Sequence, residues 1–180
     1  INAVLRAVIA IATETQKRMG KAVVLLVLGL MMASCSSDIV VSENRSLPGY
    51  WDKEEIIEFS IPRLDSLKKY NVFVNIRNTN DYPYNNLFLI ISMEFPYGKT
   101  LVDTLEYKMA YPNGEWMGEG IGDVKENKLW YKENVSFFED GNYNITITHA
   151  VRNNGEVEGV RRLEGITDVG YSIEEIKQDP

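Results

Sequence analysis

The chain is poor in the two residue types on which much protein chemistry depends: its 180 residues include one cysteine and one histidine. A lone cysteine, Cys35, cannot form an intrachain disulfide or a cysteine-rich zinc site. A lone histidine, His149, excludes a metal site built on histidines, and a Ser–His–Asp triad would have to use it. Because it falls in the alternating run 144–151 without a nucleophile motif, we interpret it as a structural strand residue. We therefore expect no enzyme, no catalytic residue and no metal.

Basic residues are also few relative to acidic ones. The chain has 19 Lys and Arg residues, of which four fall in residues 1–34. It has 26 Asp and Glu residues, of which one falls there. Residues 35–180 therefore carry 15 basic and 25 acidic side chains, a net charge of −10. Such a surface repels phosphate backbones and anionic lipids, so we expect no nucleic acid partner and no polybasic attachment to a membrane.

Long apolar runs are limited to one, residues 22–32, and its flanks are informative. Lys21 precedes the run, the small residues Ala33 and Ser34 follow it, and Cys35 comes next, which is the pattern of a bacterial lipoprotein signal. As a helix the run would span about 16 Å, too short for a hydrocarbon core of about 30 Å. We expect cleavage before Cys35, whose thiol receives diacylglycerol and whose new amino group receives an acyl chain. Apart from this covalent lipid we expect no cofactor.

This signal divides the chain. The sequence begins with isoleucine and Met19 is a suitable start, so residues 1–18 are interpreted as an over-extended N-terminus, with a longer basic leader as the alternative. Residues 19–34 form the signal peptide. Residues 35–48 lack periodicity and predict an acylated tether, and residues 49–180 form one domain.

Helix-length amphipathic segments are absent from this domain, and short alternating runs separated by Gly, Pro and Asn are frequent. They predict an all-β fold, an antiparallel β-sandwich of about seven strands. The predicted strands are residues 56–61, 70–77, 87–95, 100–111, 129–138, 143–151 and 165–173. In 70–77, Val72, Val74 and Ile76 alternate with Asn71, Phe73 and Asn75, which predicts that the first three face inward.

Three of these local predictions need comment. The apolar character of 87–95 predicts a central strand covered on both faces. Residues 125–134 could be helical by propensity, but the aromatic residues of 129–138 favour a strand. Residues 64–69 predict a helical turn between two strands.

Aromatic residues supply the strongest candidates for a contact site. Trp51 and Trp116 lie in predicted loops beside Pro or Gly. Core packing is the favoured role for each, and contact with a protein partner or stacking on a sugar ring is the candidate function. Trp130 alternates with strand residues and is predicted to lie in the core.

The glycines at 114, 118, 120 and 122 predict an irregular loop rather than a phosphate cradle, because no helix follows them. Glu119, Asp123 and Glu126 could hold calcium, but their spacing fits a solvated acidic loop better.

Five segments of the mature chain have distinctive sequences: residues 47–51 (LPGYW), 111–123 (YPNGEWMGEGIGD), 138–143 (FEDGNY), 149–152 (HAVR) and 163–174 (LEGITDVGYSIE). They resemble the gliding-motility lipoprotein GldH family of the Bacteroidota. Together they cover most of the mature domain, and the middle and C-terminal segments are the most specific. The resemblance implies a non-enzymatic envelope lipoprotein that supports the assembly or stability of the gliding-motility and type IX secretion machinery through envelope protein partners.

A surface carbohydrate-binding lipoprotein is the alternative function. Ser36, rather than Asp, follows Cys35, which favours the outer membrane, and we expect the periplasmic face rather than the cell surface. Ser66 and Thr104 lie in the tripeptides Asp-Ser-Leu and Asp-Thr-Leu, which resemble the O-glycosylation sequon of Bacteroidota.

Overall fold

The computed structural model describes residues 38–153 and 155–177. Within them the chain forms ten strands and no helix, so none of the described residues belongs to a helix that could cross a membrane. The strands are β1 (Ile39–Ser46), β2 (Tyr50–Asp52), β3 (Ile57–Ile61), β4 (Tyr70–Asn78), β5 (Asn86–Glu94), β6 (Thr100–Lys108), β7 (Lys125–Val135), β8 (Tyr143–His149), β9 (Arg162–Glu164) and β10 (Ile166–Glu175).

These strands form two four-stranded antiparallel sheets and a short ribbon. Sheet I has the order β1-β10-β4-β7, sheet II has the order β3-β8-β5-β6, and β2 pairs with β9. The inner faces of both sheets contribute to one core, in which the rings of Phe59 and Tyr171 lie 5.2 Å apart between the sheets. The predicted all-β sandwich is confirmed.

The core follows from the two-residue period of the strands. Val72, Val74 and Ile76 alternate along β4 and are fully buried, as the sequence predicted for that strand. In sheet II the burial of β3 and β8 also alternates strictly. Each sheet thus buries its inner face, and the outer face of sheet II is exposed or only partly buried.

The two sheets are joined along one edge of the sandwich. The Tyr107 hydroxyl on β6 donates a hydrogen bond of 2.7 Å to the backbone oxygen of Trp130 on β7. The Tyr131 hydroxyl donates to the Asp103 carboxylate at 3.1 Å, and Lys132 forms an ion pair with the same carboxylate at 2.9 Å. Burial, and secondarily the Asp103 charge, raises the pKa of Tyr107 to about 12, so this hydroxyl keeps its proton at physiological pH.

The strand directions place the connecting loops at two opposite ends. The Asp38 end comprises Asp38, the loops 62–69, 95–99 and 136–142, and residues 175–177. The Ile121 end comprises the loops 53–56, 79–85, 109–124 and 150–161. Nine-residue strands at about 3.3 Å per residue separate the two ends by about 30 Å.

The prediction of a tether over 35–48 is wrong for residues 39–46. These residues form β1, which pairs along its length with β10 at the edge of sheet I. Seven of the eight side chains of β1 are exposed, so the segment lacks the apolar alternation by which a strand is recognised. Its conformation depends on the backbone hydrogen bonds that β10 supplies.

Two of the three local predictions need correction. Strand β5 is central in sheet II, but alternate residues such as Phe88 and Ile90 are only partly buried, so it is not covered on both faces. Residues 64–69 contain a turn, closed by a 3.2 Å hydrogen bond from the Lys68 amide to the Asp65 oxygen, and no helix. The strand preferred over a helix is observed as β7. It begins at Lys125, so it includes the segment that could have been helical, and it ends at Val135, so residues 136–138 of the predicted strand belong to the following loop.

Candidate functional site

The described residues place no catalytic constellation around His149. Its side chain is 3% exposed on the inner face of β8, and its ring lies 5.3 Å from that of Trp51 in an edge-on arrangement. Neither ring nitrogen has a hydrogen bond of good geometry, although the Trp51 backbone lies close enough to favour the charged form. Burial nevertheless lowers the pKa of His149 to about 4, so the ring is neutral near pH 7.

Residues 109–124, which contain all four glycines of the glycine-rich segment, form a loop held in place by backbone hydrogen bonds. The Met117 amide donates to the Met109 oxygen at 2.9 Å, and Glu119 and Glu126 exchange two hydrogen bonds of 2.9 and 2.7 Å. Positive φ angles occur at glycines 114, 120 and 122. The predicted irregular loop is therefore confirmed, and no helix among the described residues follows it to make a phosphate cradle.

The three carboxylates considered for calcium do not converge. The Asp123 carboxylate accepts a hydrogen bond of 3.1 Å from the side-chain amide of Asn80, and Glu126 forms an ion pair of 3.0 Å with Arg77. Among residues 38–153 and 155–177, no group of three His, Cys, Asp or Glu side chains is arranged to hold a metal ion.

Trp116 fixes the glycine-rich loop to the sandwich. Its indole nitrogen donates a hydrogen bond of 2.9 Å to the Asn80 side chain, and its ring lies 6.1 Å from that of the buried Tyr82. The side chain is partly buried and its polar atom is already used. We conclude that Trp116 holds the loop in place and offers only part of its ring to a partner.

Beyond Trp116 the same loop exposes apolar side chains. Ile121 is 100% exposed, and Tyr111, Met117 and Val124 are each between 42% and 48% exposed. Apolar side chains on a backbone held by hydrogen bonds are the usual components of a protein-binding surface. We call these four residues the loop surface. The sequence placed this loop correctly, but its hydropathy gave no sign that Ile121 would be unburied.

The structure decides between the two environments considered for Trp51 and reverses the one predicted for Trp130. Trp51 is fully buried and donates a hydrogen bond of 2.9 Å to the Glu55 oxygen, so it is a core residue and contacts no ligand at the surface. Trp130 is 54% exposed on the outer face of sheet I, and its predicted core position is wrong. The signal was present in the sequence, since Trp130 shares its strand face with Lys128 and Lys132.

The exposed indole of Trp130 forms part of an aromatic pair on a polar sheet face. The buried ring of Phe73 lies 4.4 Å from it, and the Lys128 ammonium sits 4.1 Å above the Phe73 ring. Asn75 and Ser172, neighbours of Phe73 in sheet I, are linked by a hydrogen bond of 3.3 Å. We call Trp130, Phe73, Lys128 and Asn75 the aromatic platform.

Two depressions accompany these surfaces. A pocket of about 310 Å³ opens at the Asp38 end, between the edges of the two sheets. Its apolar lining includes Met93, Phe95, Leu101, Phe137, Phe138 and Tyr143. A second, of about 540 Å³, lies on the outer face of sheet II and is lined by Phe88, Ile90, Thr104 and Arg152 among others.

Both candidate O-glycosylation residues are accessible. Ser66 is exposed in the 62–69 loop, and Thr104 is exposed on β6 at the second pocket. They lie on different parts of the molecule and do not form a common site. Cys35, the predicted lipidation residue, lies outside the described residues.

The sequence model for the GldH lipoprotein family matches residues 39–173, nearly the whole described domain. The chain belongs to the GldH lipoprotein family. The match begins at the first residue of β1, so this edge strand is part of the family domain. The segments that carried the resemblance, including the glycine-rich loop, lie within the matched region, except for Glu174 at the end of the last one.

Curated relatives agree with this assignment. A gliding motility lipoprotein GldH homolog from Christiangramia forsetii is 53% identical over 145 residues, covering 81% of this chain and 89% of the relative. The gliding motility lipoprotein GldH of Flavobacterium johnsoniae is 51% identical over 152 residues, covering 84% and 94%. Membership of GldH makes this a lipoprotein of a gliding-motility family.

A solved family GH115 4-O-methyl-α-glucuronidase aligns with a TM-score of 0.41 and 13% identity, over 80% of this chain and 18% of its own.

Proposed function

We propose that this protein is a non-enzymatic lipoprotein, anchored through an acylated Cys35, that supports the assembly or stability of gliding-motility and type IX secretion machinery. Family membership supports the motility context. The lipid would confine the domain to the membrane and raise its concentration near membrane partners. We place it in the outer membrane, on the periplasmic face.

The loop surface carries this proposal, and above all the complete exposure of Ile121. A flexible loop loses conformational entropy when it binds, and this loss opposes binding. This loop is already held by the contacts of Trp116 and by the Glu119–Glu126 hydrogen bonds, so it loses less. Glu115 and Glu119 are exposed beside the apolar side chains. The surface therefore suits a protein partner that has an apolar pocket with a basic rim.

We predict that Ile121→Asp removes partner binding without unfolding the domain. A charge at a fully desolvated contact costs about 2 kcal/mol or more, roughly a thirtyfold loss of affinity. The measurement is cross-linking in living cells followed by purification of the lipidated protein and mass spectrometry of the attached proteins. We expect motility or secretion components with the wild type and a strong loss of them with the variant.

Ile56→Asp is the matched control, because Ile56 is also an exposed isoleucine, 58% accessible. It belongs to a different loop of the Ile121 end, which leads into β3, whereas the loop surface follows β6 at the opposite edge of sheet II. The Ile56→Asp variant should retain the cross-linked partners. If both variants behave like the wild type, the loop surface is not the contact. If the wild type yields only porins and abundant lipoproteins, the assembly role itself loses its support.

The second candidate, carbohydrate binding, is favoured by the aromatic platform rather than by Trp51. An exposed indole beside Lys128 and Asn75 combines a flat apolar surface with hydrogen-bonding groups, which sugar rings require. Trp130→Ala should cost about 1 kcal/mol of binding to an oligosaccharide, roughly a fivefold loss of affinity, whereas Trp130→Phe should retain most of it. Calorimetric titration with a panel of soluble oligosaccharides tests this prediction. If no oligosaccharide gives more heat than its dilution into buffer, carbohydrate binding is excluded.

A further inference from the structure

The structure shortens the predicted tether and so constrains where the domain lies. Strand β1 begins at Ile39, and three residue steps separate Cys35 from Asp38. An extended chain advances at most about 3.6 Å per residue, so Asp38 lies within about 11 Å of the acylated residue. This step rests on the proposed acylation of Cys35. It brings the Asp38 end, rather than the Ile121 end, to the bilayer surface.

Three loops at the Asp38 end each present a large apolar side chain. Leu67, Tyr97 and Phe138 are 90%, 74% and 65% exposed, and they belong to three different connections between strands. Ile39 and Val40, where the chain enters the domain, are also exposed, at 43% and 44%. Exposed apolar side chains gathered at one end of a domain indicate a contact surface.

The loops that carry these side chains are held to one another. The Tyr97 amide donates a hydrogen bond of 2.9 Å to Glu139, which joins the 95–99 and 136–142 loops. Arg63 and Asp140 form an ion pair of 2.8 Å that joins the 62–69 and 136–142 loops. The 310 Å³ apolar pocket opens beside Phe138, which is one of its lining residues. The three loops of the Asp38 end therefore form one connected surface rather than three independent loops.

Charge separates the two ends of this acidic protein. The segments of the Asp38 end contain five basic and five acidic residues, whereas those of the Ile121 end contain three basic and eight acidic residues. The Asp38 end is thus neutral and the Ile121 end has a net charge of −5. A leaflet that contains anionic lipid is negatively charged, so it repels the Ile121 end and has no net effect on the neutral Asp38 end.

We propose that the Asp38 end is a membrane-contacting surface, in which Leu67, Tyr97 and Phe138 insert into the interfacial layer of the bilayer that holds the lipid anchor. Tyrosine suits this layer because its ring is apolar and its hydroxyl is polar. The anchor supplies the attachment, and the three side chains fix the orientation. The loop surface is then held about 30 Å from the bilayer, facing a partner.

The single native cysteine makes this testable on the full chain. Once Cys35 is acylated, a cysteine introduced by Tyr97→Cys, Phe138→Cys or Ile121→Cys is the one thiol open to an environment-sensitive fluorophore. The acylated, labelled proteins are placed in phosphatidylcholine vesicles that contain lipids with a nitroxide quencher near the headgroup. We expect a blue shift and strong quenching at positions 97 and 138, and neither at position 121.

Equal quenching at the three positions, or stronger quenching at 121, would overturn the proposed orientation while leaving the anchor intact. Vesicles with added anionic lipid should give the same pattern, because the contact is apolar and the Asp38 end is neutral. Intact-mass measurement of each protein reports the lipid on Cys35 separately. An unacylated Cys35 would remove the short tether and overturn both the proposed anchoring and this inference.

Discussion

His149 is a titratable group enclosed in the core. It lies against the ring of Trp51, and burial lowers its pKa to about 4 from the ordinary 6.5. In the unfolded chain the ring binds a proton below about pH 6.5, but in the folded domain it does so only near pH 4. Between these values the unfolded state holds more protons, so acid lowers the free energy of unfolding.

We predict that this one residue lowers the stability by about 3 kcal/mol between pH 7 and pH 4. His149→Phe keeps an aromatic ring beside Trp51 but removes the titration. Urea unfolding at several pH values, compared between wild type and variant, isolates the histidine from the carboxylates that both proteins share. If the free energy of unfolding changes with pH in the same way for both proteins, the pKa of His149 is not lowered.

At the scale of elements, the junction of β9 and β10 depends on Gly165. Its φ is +79°, and a Cβ built there would lie 2.2 Å from the Tyr82 backbone nitrogen. The Gly165 amide donates a hydrogen bond of 2.8 Å to the Gly49 oxygen, and the Thr79 amide donates one of 2.8 Å to the Gly165 oxygen. These two bonds connect the turn before β2, the 79–85 loop and the β9–β10 junction. Both the backbone angle and the close approach require glycine.

Gly165→Ala is therefore expected to be strongly destabilising. Gly114 is the matched control, because its φ is +85° but a Cβ there meets nothing within 4 Å. Gly114→Ala should cost about 1–2 kcal/mol from the backbone angle alone, and Gly165→Ala about 2 kcal/mol more from the forced backbone shift. Denaturant unfolding measures the loss of stability in both variants. If Gly165→Ala costs no more than Gly114→Ala, the backbone near Tyr82 shifts easily to make room for the methyl group.

For the molecule as a whole, the arrangement of ends matters more than any single side chain. The antiparallel order of both sheets puts the connections alternately at the two ends, so residues far apart in sequence, such as Leu67, Tyr97 and Phe138, share one end. The same topology collects the loop surface and its acidic neighbours at the other. An anchored protein of this design would present one end to lipid and the other to protein.

The sequence by itself determined the family, the all-β class and most strand positions. The two-residue period of β4 predicted which of its side chains face inward, because that period follows from backbone geometry alone. The glycines at 114, 120 and 122 predicted an irregular loop for a similar local reason, since positive φ angles favour glycine.

Only the tertiary structure decided the rest. Strand β1 has almost no buried side chains, so pairing with β10 makes it a strand and shortens the tether. Trp51 is buried because β2 pairs with β9 over the core, and Trp130 is exposed because β7 turns it to the outer face of sheet I. Whether a side chain is buried, which strands pair and which loops share an end all depend on segments that are distant in the sequence. A local sequence pattern does not contain this information.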